Sequence, residues 1–151
     1  MQGRFTAVPA VYLVLMRRGR ILLSRRFNTG FEDGKYALIA GHVEAGETPV
    51  QALAREAREE AGIRVDTRGL ELVHTMYRRG LQNTRVDLFF RVKRWRGIPR
   101  IREPHKCDDL RWFPVAKLPK QMSPFTRQAI ARIRAQGRYS EFGFTQLRPS
   151  R

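Results

Sequence analysis

Residues 41–63 read Gly-His-Val-Glu-Ala-Gly-Glu-Thr-Pro-Val-Gln-Ala-Leu-Ala-Arg-Glu-Ala-Arg-Glu-Glu-Ala-Gly-Ile, and the second half of that stretch declares itself a helix at both ends. Thr48 is an N-cap residue, Pro49 occupies the first helical position, where a missing N–H costs nothing, and Gln51 completes a capping box. Gly62 supplies the left-handed stop, so the helix spans 49–61. At about 100° per residue, Val50, Leu53, Ala54, Ala57 and Ala61 form one apolar stripe. Glu56, Glu59 and Glu60 fall together on its flank. Carboxylates at i, i+3 and i+4 repel by a few tenths of a kcal/mol per pair, and they sit badly near the negative end of the helix dipole. A solvated face with Arg55 and Arg58 as partners is one explanation. A site for a hard cation is the other, since oxygen ligands select Mg²⁺ or Mn²⁺ over zinc or copper.

The spacing around the helix separates the two. Gly41 is followed after five residues by Glu47, then after seven by Arg55-Glu56-Ala57-Arg58-Glu59-Glu60-Ala61-Gly62-Ile63. This resembles the Nudix box, G-x5-E-x7-R-E-U-x-E-E-x-G-U, where U is a bulky aliphatic residue. Every fixed charged and glycine position matches; Ala57 is smaller than the pattern prefers.

The resemblance implies an α/β/α sandwich with a mixed central sheet flanked by helices. It also implies a MutT-like hydrolase that splits the pyrophosphate bond of a nucleoside diphosphate joined to some other group. In such enzymes Glu56, Glu59 and Glu60 would be metal ligands, with Glu56 also a candidate base. Glu47 would pair with Arg55 to hold loop and helix together, and the Ala40 carbonyl would be a further metal ligand. Arg26 matches an arginine that contacts substrate phosphate. A further acid usually comes from a later loop, where Glu103 and Asp108 are both candidates. Metal is required in principle because a pyrophosphate repels hydroxide; a cation neutralises the phosphate oxygens and acidifies the attacking water.

Outward from the helix, residues 6–16 and 20–26 read as strands joined by a tight turn at Arg17-Arg18-Gly19. Residues 36–40 read as a short strand, and 70–78 and 84–93 as a second strand pair around Gly80. Ser123-Pro124 opens a second helix running to Gly137, with Phe125, Ala129, Ile130 and Ile133 facing inward. Strands, helix, strands, helix predict a mixed sheet between helices. His42 and His105 are readings of substrate contact against surface residues, and Phe27, Tyr77 and Phe144 of base stacking against core packing.

At 151 residues the chain is expected to be one domain, 1–151. No apolar stretch approaches the roughly 18 residues of a membrane span, and the apolar start reads as a core strand rather than a signal peptide. The single cysteine, Cys107, excludes an internal disulfide framework and fits a reducing cytoplasm. The net charge is +16, and of the 30 basic residues only Lys35, Lys93, Lys106, Lys117 and Lys120 are lysine. A general arginine bias explains such a spread better than a nucleic-acid footprint, which clusters on one face. The expected activity is Mg²⁺-dependent (Mn²⁺ as substitute) hydrolysis of a small nucleotide, such as a nucleoside triphosphate cut to the monophosphate. An RNA 5′-end pyrophosphohydrolase and a non-catalytic Nudix fold that binds nucleic acid are the alternatives. Weak nonspecific nucleic-acid binding and a monomer or homodimer complete the expectation.

Overall fold

The computed structural model describes residues 3–145. Strand β1 (Ala7–Arg17) is the spine, and its side chains alternate between two cores. Ala10, Tyr12 and Val14 point to one face of the sheet, where they meet helix α2 (Pro124–Arg134) through Phe125, Ala129, Ile130 and Ile133. Val11, Leu13 and Leu15 point to the other, against Ala52, Leu53, Ala57 and Ala61 of helix α1 (Pro49–Ala61). Burial on both faces is why β1 is a nearly unbroken apolar run rather than an alternating one. The sandwich of helix, sheet and helix is therefore as expected, with Ala52 rather than Ala54 in the buried stripe of α1.

Strand β2 (Arg20–Arg26) returns from β1 through a two-residue turn in which Arg18 and Gly19 both have positive φ, the backbone that a tight hairpin demands. The segment expected as one strand, 36–40, is split. β3 (Tyr36–Ala37) pairs with β2, whereas β4 (Ala40–His42) pairs with β1, placing Gly41 opposite Val11. Beyond α1, β5 (Arg64–Val65) leads by a 3₁₀ turn to β6 (Leu70–Arg79) and β7 (Thr84–Val92), an antiparallel pair. β7 lies parallel to β1 along its length. β8 (Trp95–Arg96) closes a two-stranded ribbon with β5.

Two longer strands lie where none is expected. β9 (Cys107–Pro114) pairs with β2, and β10 (Tyr139–Phe142) runs parallel to β6. β9 hides its strand character behind Asp108, Asp109 and Arg111, yet Leu110 and Trp112 pack on the α1 core. Helix α2 stops at Arg134 rather than at Gly137. Gln136 there takes a positive φ, and the Gly137 amide donates back to the Arg132 carbonyl. Its Ser123 makes no side-chain cap, unlike Thr48, whose capping box with Gln51 is complete. Among the described residues no helix is long and apolar enough to cross a membrane.

Candidate active site

The loop before α1 and the helix itself are tied by one guanidinium. Arg55 forks onto Glu47, with Nε 2.8 Å from Oε2 and Nη2 3.0 Å from Oε1. The same side chain donates to the His42 carbonyl at 3.1 Å, to Glu56 Oε1 at 2.7 Å and to Glu59 Oε2 at 3.3 Å. Glu47 also accepts the Glu44 amide. These bonds, the Arg55 donors first, pull the Glu47 carboxyl down to about 2.

Glu60 stands in the opposite condition. Burial, reinforced by Glu56 and then Glu103, pushes its carboxyl up to about 8, although the Ala40 amide donates to it. Among the described residues no ion pair reaches Glu60. Glu56 is raised by burial as well, with Arg55 opposing. Its carboxylate lies against Gly41 so closely that a Cβ at that position would overlap Oε1. The glycine is there to let β4 and α1 approach.

Glu56, Glu59, Glu60, Glu103, Arg26 and the Ala40–Gly41 backbone line one cleft of about 520 Å³, with Arg55 in its wall. Carboxylate oxygens predominate in its lining, beside His42, Lys106 and Cys107, and a half-buried carboxyl without an ion pair suits a hard divalent ion. Glu56 and Glu59 lean on Arg55, and among the described residues the acids are not already gathered into a ligand cage. A second cavity of about 370 Å³ shares the Arg26 and Ala40–His42 wall. Tyr12, Phe31, Phe125, Arg78 and Arg85 line it. Arg26 spans both, its Nε held by the Phe31 carbonyl at 2.7 Å and its Nη2 by Thr29 at 3.0 Å.

Of the residues singled out from the sequence, Glu47 sits behind Arg55, outside the cleft, as a partner rather than a lining group. Asp108 does not belong with the others. It pairs with Arg25 at 2.7 Å beside the β2–β9 register shift, and neither residue lines the cleft that Arg26 lines. Glu103 alone of the two candidate acids faces the cleft. His42 lines both cavities and bonds to Arg85; burial and then Arg85 hold its pKa down. His105 is exposed outside them, and Tyr77 and Phe144 stack on each other at 5.4 Å. Phe27, half exposed, lines neither cavity.

The second cavity contains what the sequence did not reveal. Arg78 Nε bonds Asp87 Oδ2 at 2.6 Å, Arg78 reaches the Tyr12 hydroxyl at 3.3 Å, and its guanidinium lies 3.8 Å above the Phe125 ring. The available signal was an ionisable residue, Asp87, in a strand otherwise apolar through Leu88–Phe90.

The NUDIX domain family model matches residues 6–133. A NAD-capped RNA hydrolase, NudC, of Stutzerimonas stutzeri (strain A1501) is 30% identical over 130 residues, covering 82% of this chain. The match spans 41% of that relative, so this chain accounts for less than half of its length. An oxidized purine nucleoside triphosphate hydrolase of Danio rerio is 33% identical over 119 residues, 76% of this chain and 71% of the relative. The crystal structure of a MutT NUDIX hydrolase from Burkholderia pseudomallei superposes with a TM-score of 0.77 at 27% identity, covering 83% of this chain and 97% of that one. A MutT protein from Methanosarcina mazei Go1 shares the fold at 18% identity, with a TM-score of 0.76 over 89% of this chain and 98% of its own.

Proposed function

The chain belongs to the Nudix family of hydrolases, and from that premise we propose that it uses Mg²⁺, with Mn²⁺ as substitute, to split the pyrophosphate bond of a small nucleotide. One observation carries the reading: a cleft lined by five carboxylates, one of them half-buried and without an ion pair among the described residues, opens beside a cavity of nucleoside size lined by aromatic and cationic side chains. Glu56, Glu59, Glu60 and the Ala40 carbonyl would hold the metal. Bound there, the cation would supply charge neutralisation on the diphosphate and a more acidic attacking water.

The chain's own residues do the rest. The Glu47–Arg55 fork fixes the approach of the loop to the helix, so Glu56 and Glu59 are held at a set spacing. Arg26, tied to Thr29 and Phe31, presents a fixed cation at the junction of the two cavities, where a diphosphate would bridge metal and nucleoside. Glu103 adds a carboxylate to the cleft from the loop before β9. Phe31 and Phe125 offer the base an apolar wall, and His42 stays a neutral hydrogen-bonding group beside it. This predisposed constellation is the kind that lowers a phosphoryl-transfer barrier by positioning and electrostatics.

An RNA 5′ end is the second reading, supported by the NudC name of the Stutzerimonas relative. The deciding experiment incubates the protein with Mg²⁺ and nucleoside triphosphates, dinucleotides such as NAD, and triphosphorylated RNA, and identifies the products. Conversion of a triphosphate to monophosphate plus pyrophosphate supports the small-nucleotide reading. Turnover of the RNA alone would replace it with the second, and no turnover of any pyrophosphate would sink both.

A further inference from the structure

At the other end of β1 from the Ala10–Tyr12 segment that borders the catalytic cavities lies a groove of about 1050 Å³ that shares no lining residue with them. Arg17, Arg64, Arg68, Lys93, Arg94 and Arg96 line it, against one acid, Asp66. Asp66 is already taken, since its carboxylate bonds Arg68 through Nε at 3.0 Å and Nη2 at 3.1 Å. Lys93 reaches Glu71 only at 3.8 Å. Arg17, Arg64, Arg94 and Arg96 have no ion pair among the described residues, and all four are exposed.

The arrangement works against folding. Arg64 and Arg96 are direct partners across the β5–β8 ribbon, and like charges facing each other across strands are destabilising. The ribbon has two residues on each side, too few to tolerate such a pair without another source of stability. Arg17 is held 5.9 Å from the Trp95 ring, which itself stacks on Trp112, so this cation is placed rather than loosely solvated. From the groove, exposed Arg100 and Arg102 continue toward the carboxylates; their amides donate to the carbonyls of Ala61 and Glu60. Arg17, Arg64, Arg68, Arg94 and Arg96, far apart along the sequence, thus come together around one groove.

We propose that this groove binds the phosphodiester backbone of single-stranded nucleic acid. Six cations around one concave groove, against a single acid that is already paired, suit a chain of phosphates, whereas a flat anionic surface such as a membrane would leave the groove floor unused. The proposal does not depend on which nucleotide the carboxylate cleft hydrolyses.

The test measures fluorescence anisotropy of a labelled single-stranded 20-mer of uridylate with the full chain, between about 50 and 200 mM salt. Three proteins are compared: the parent, Arg64→Gln/Arg94→Gln/Arg96→Gln in the groove, and Arg132→Gln/Arg134→Gln/Arg138→Gln around α2. Both variants lose the same net charge. The groove variant should bind at least about tenfold more weakly at 100 mM salt, with a salt slope smaller by about 2, as expected for three lost contacts to a single strand. The α2 variant should stay within about threefold of the parent, and the hydrolytic activity of both should be unchanged. A fourth protein, Arg96→Glu, separates folding from binding. It should unfold at the same or a higher temperature than the parent, because the new carboxylate would face Arg64, while still losing affinity. Equal losses in the groove and α2 variants would assign binding to diffuse charge and overturn the proposal. So would a parent that does not bind the oligonucleotide, or groove-dependent binding to phosphatidylserine vesicles in its place.

Discussion

Glu60 and Gly41 show how single residues set the site. A glutamate in an unfolded chain titrates near 4.5, whereas burial, Glu56 and Glu103 push folded Glu60 up to about 8. The folded protein therefore holds that proton more tightly. The stability it contributes is fully present below 4.5 and lost as pH rises through 8. Glu60→Gln removes the dependence. Without metal, its melting temperature should match the parent's near pH 4 and exceed it increasingly toward pH 9, while kcat with Mg²⁺ falls at least about 10²-fold. A gap that is the same at both pH values would show that Glu60 does not hold its proton as described. Gly41→Ala should act through Glu56, whose Oε1 occupies the space of the new methyl group. We expect kcat to drop about 10²-fold through the displaced carboxylate, with the fold retained. Full activity would mean that the position of Glu56 is not critical. The choice between Glu103 and Asp108 also belongs here. Glu103→Gln should slow turnover, whereas Asp108→Asn should leave it alone, because Asp108 faces Arg25 outside the cleft.

At the scale of the element, the loop-plus-helix unit is held at two points. Thr48 caps α1 through a complete box with Gln51, and Thr48→Ala should cost about 1 kcal/mol, or about 2–4 °C for a chain of this size. The second point is the Glu47–Arg55 fork. Because Arg55 draws the Glu47 carboxyl down to about 2, this contribution exists above 4.5 and is lost as pH falls toward 2. Glu47→Gln should melt lower than the parent at neutral pH, and the difference should close on acidification. A deficit that persists at pH 2 would argue that the side chain acts through shape rather than charge. The cap was legible in advance because it is local, and the fork was expected from the resemblance to the Nudix box. The split of 36–40 into β3 and β4 was not, because the exchange of partner from β2 to β1 depends on strands distant in the chain.

For the whole molecule, the proposed metal binding would be linked to folding. A cation that binds only the folded state raises the melting temperature by mass action. Here it must also displace a proton from Glu60, so the upward shift with Mg²⁺ should be larger near pH 8 than near pH 6. A chelator should abolish both the shift and the activity. Activity that survives chelation would remove the metal from the mechanism.

Residues 41–63 contained the helix, its caps and the acidic flank, because each depends on groups within about two helical turns of one another, and the resemblance to the Nudix box implied the Glu47–Arg55 clamp. The order of strands, helix, strands and helix likewise predicted a mixed sheet between helices. What faces the acids was decided only by the tertiary structure. Arg26 lines the cleft, whereas Arg25 and Asp108, paired beside the β2–β9 register shift, do not. The Tyr12–Arg78–Asp87 cluster joins the β6–β7 hairpin to β1, a neighbour only in the sheet. The grouping of Arg17, Arg64, Arg94 and Arg96 has the same origin. Strand order and register determine which side chains meet, and a linear pattern of residue types carries neither.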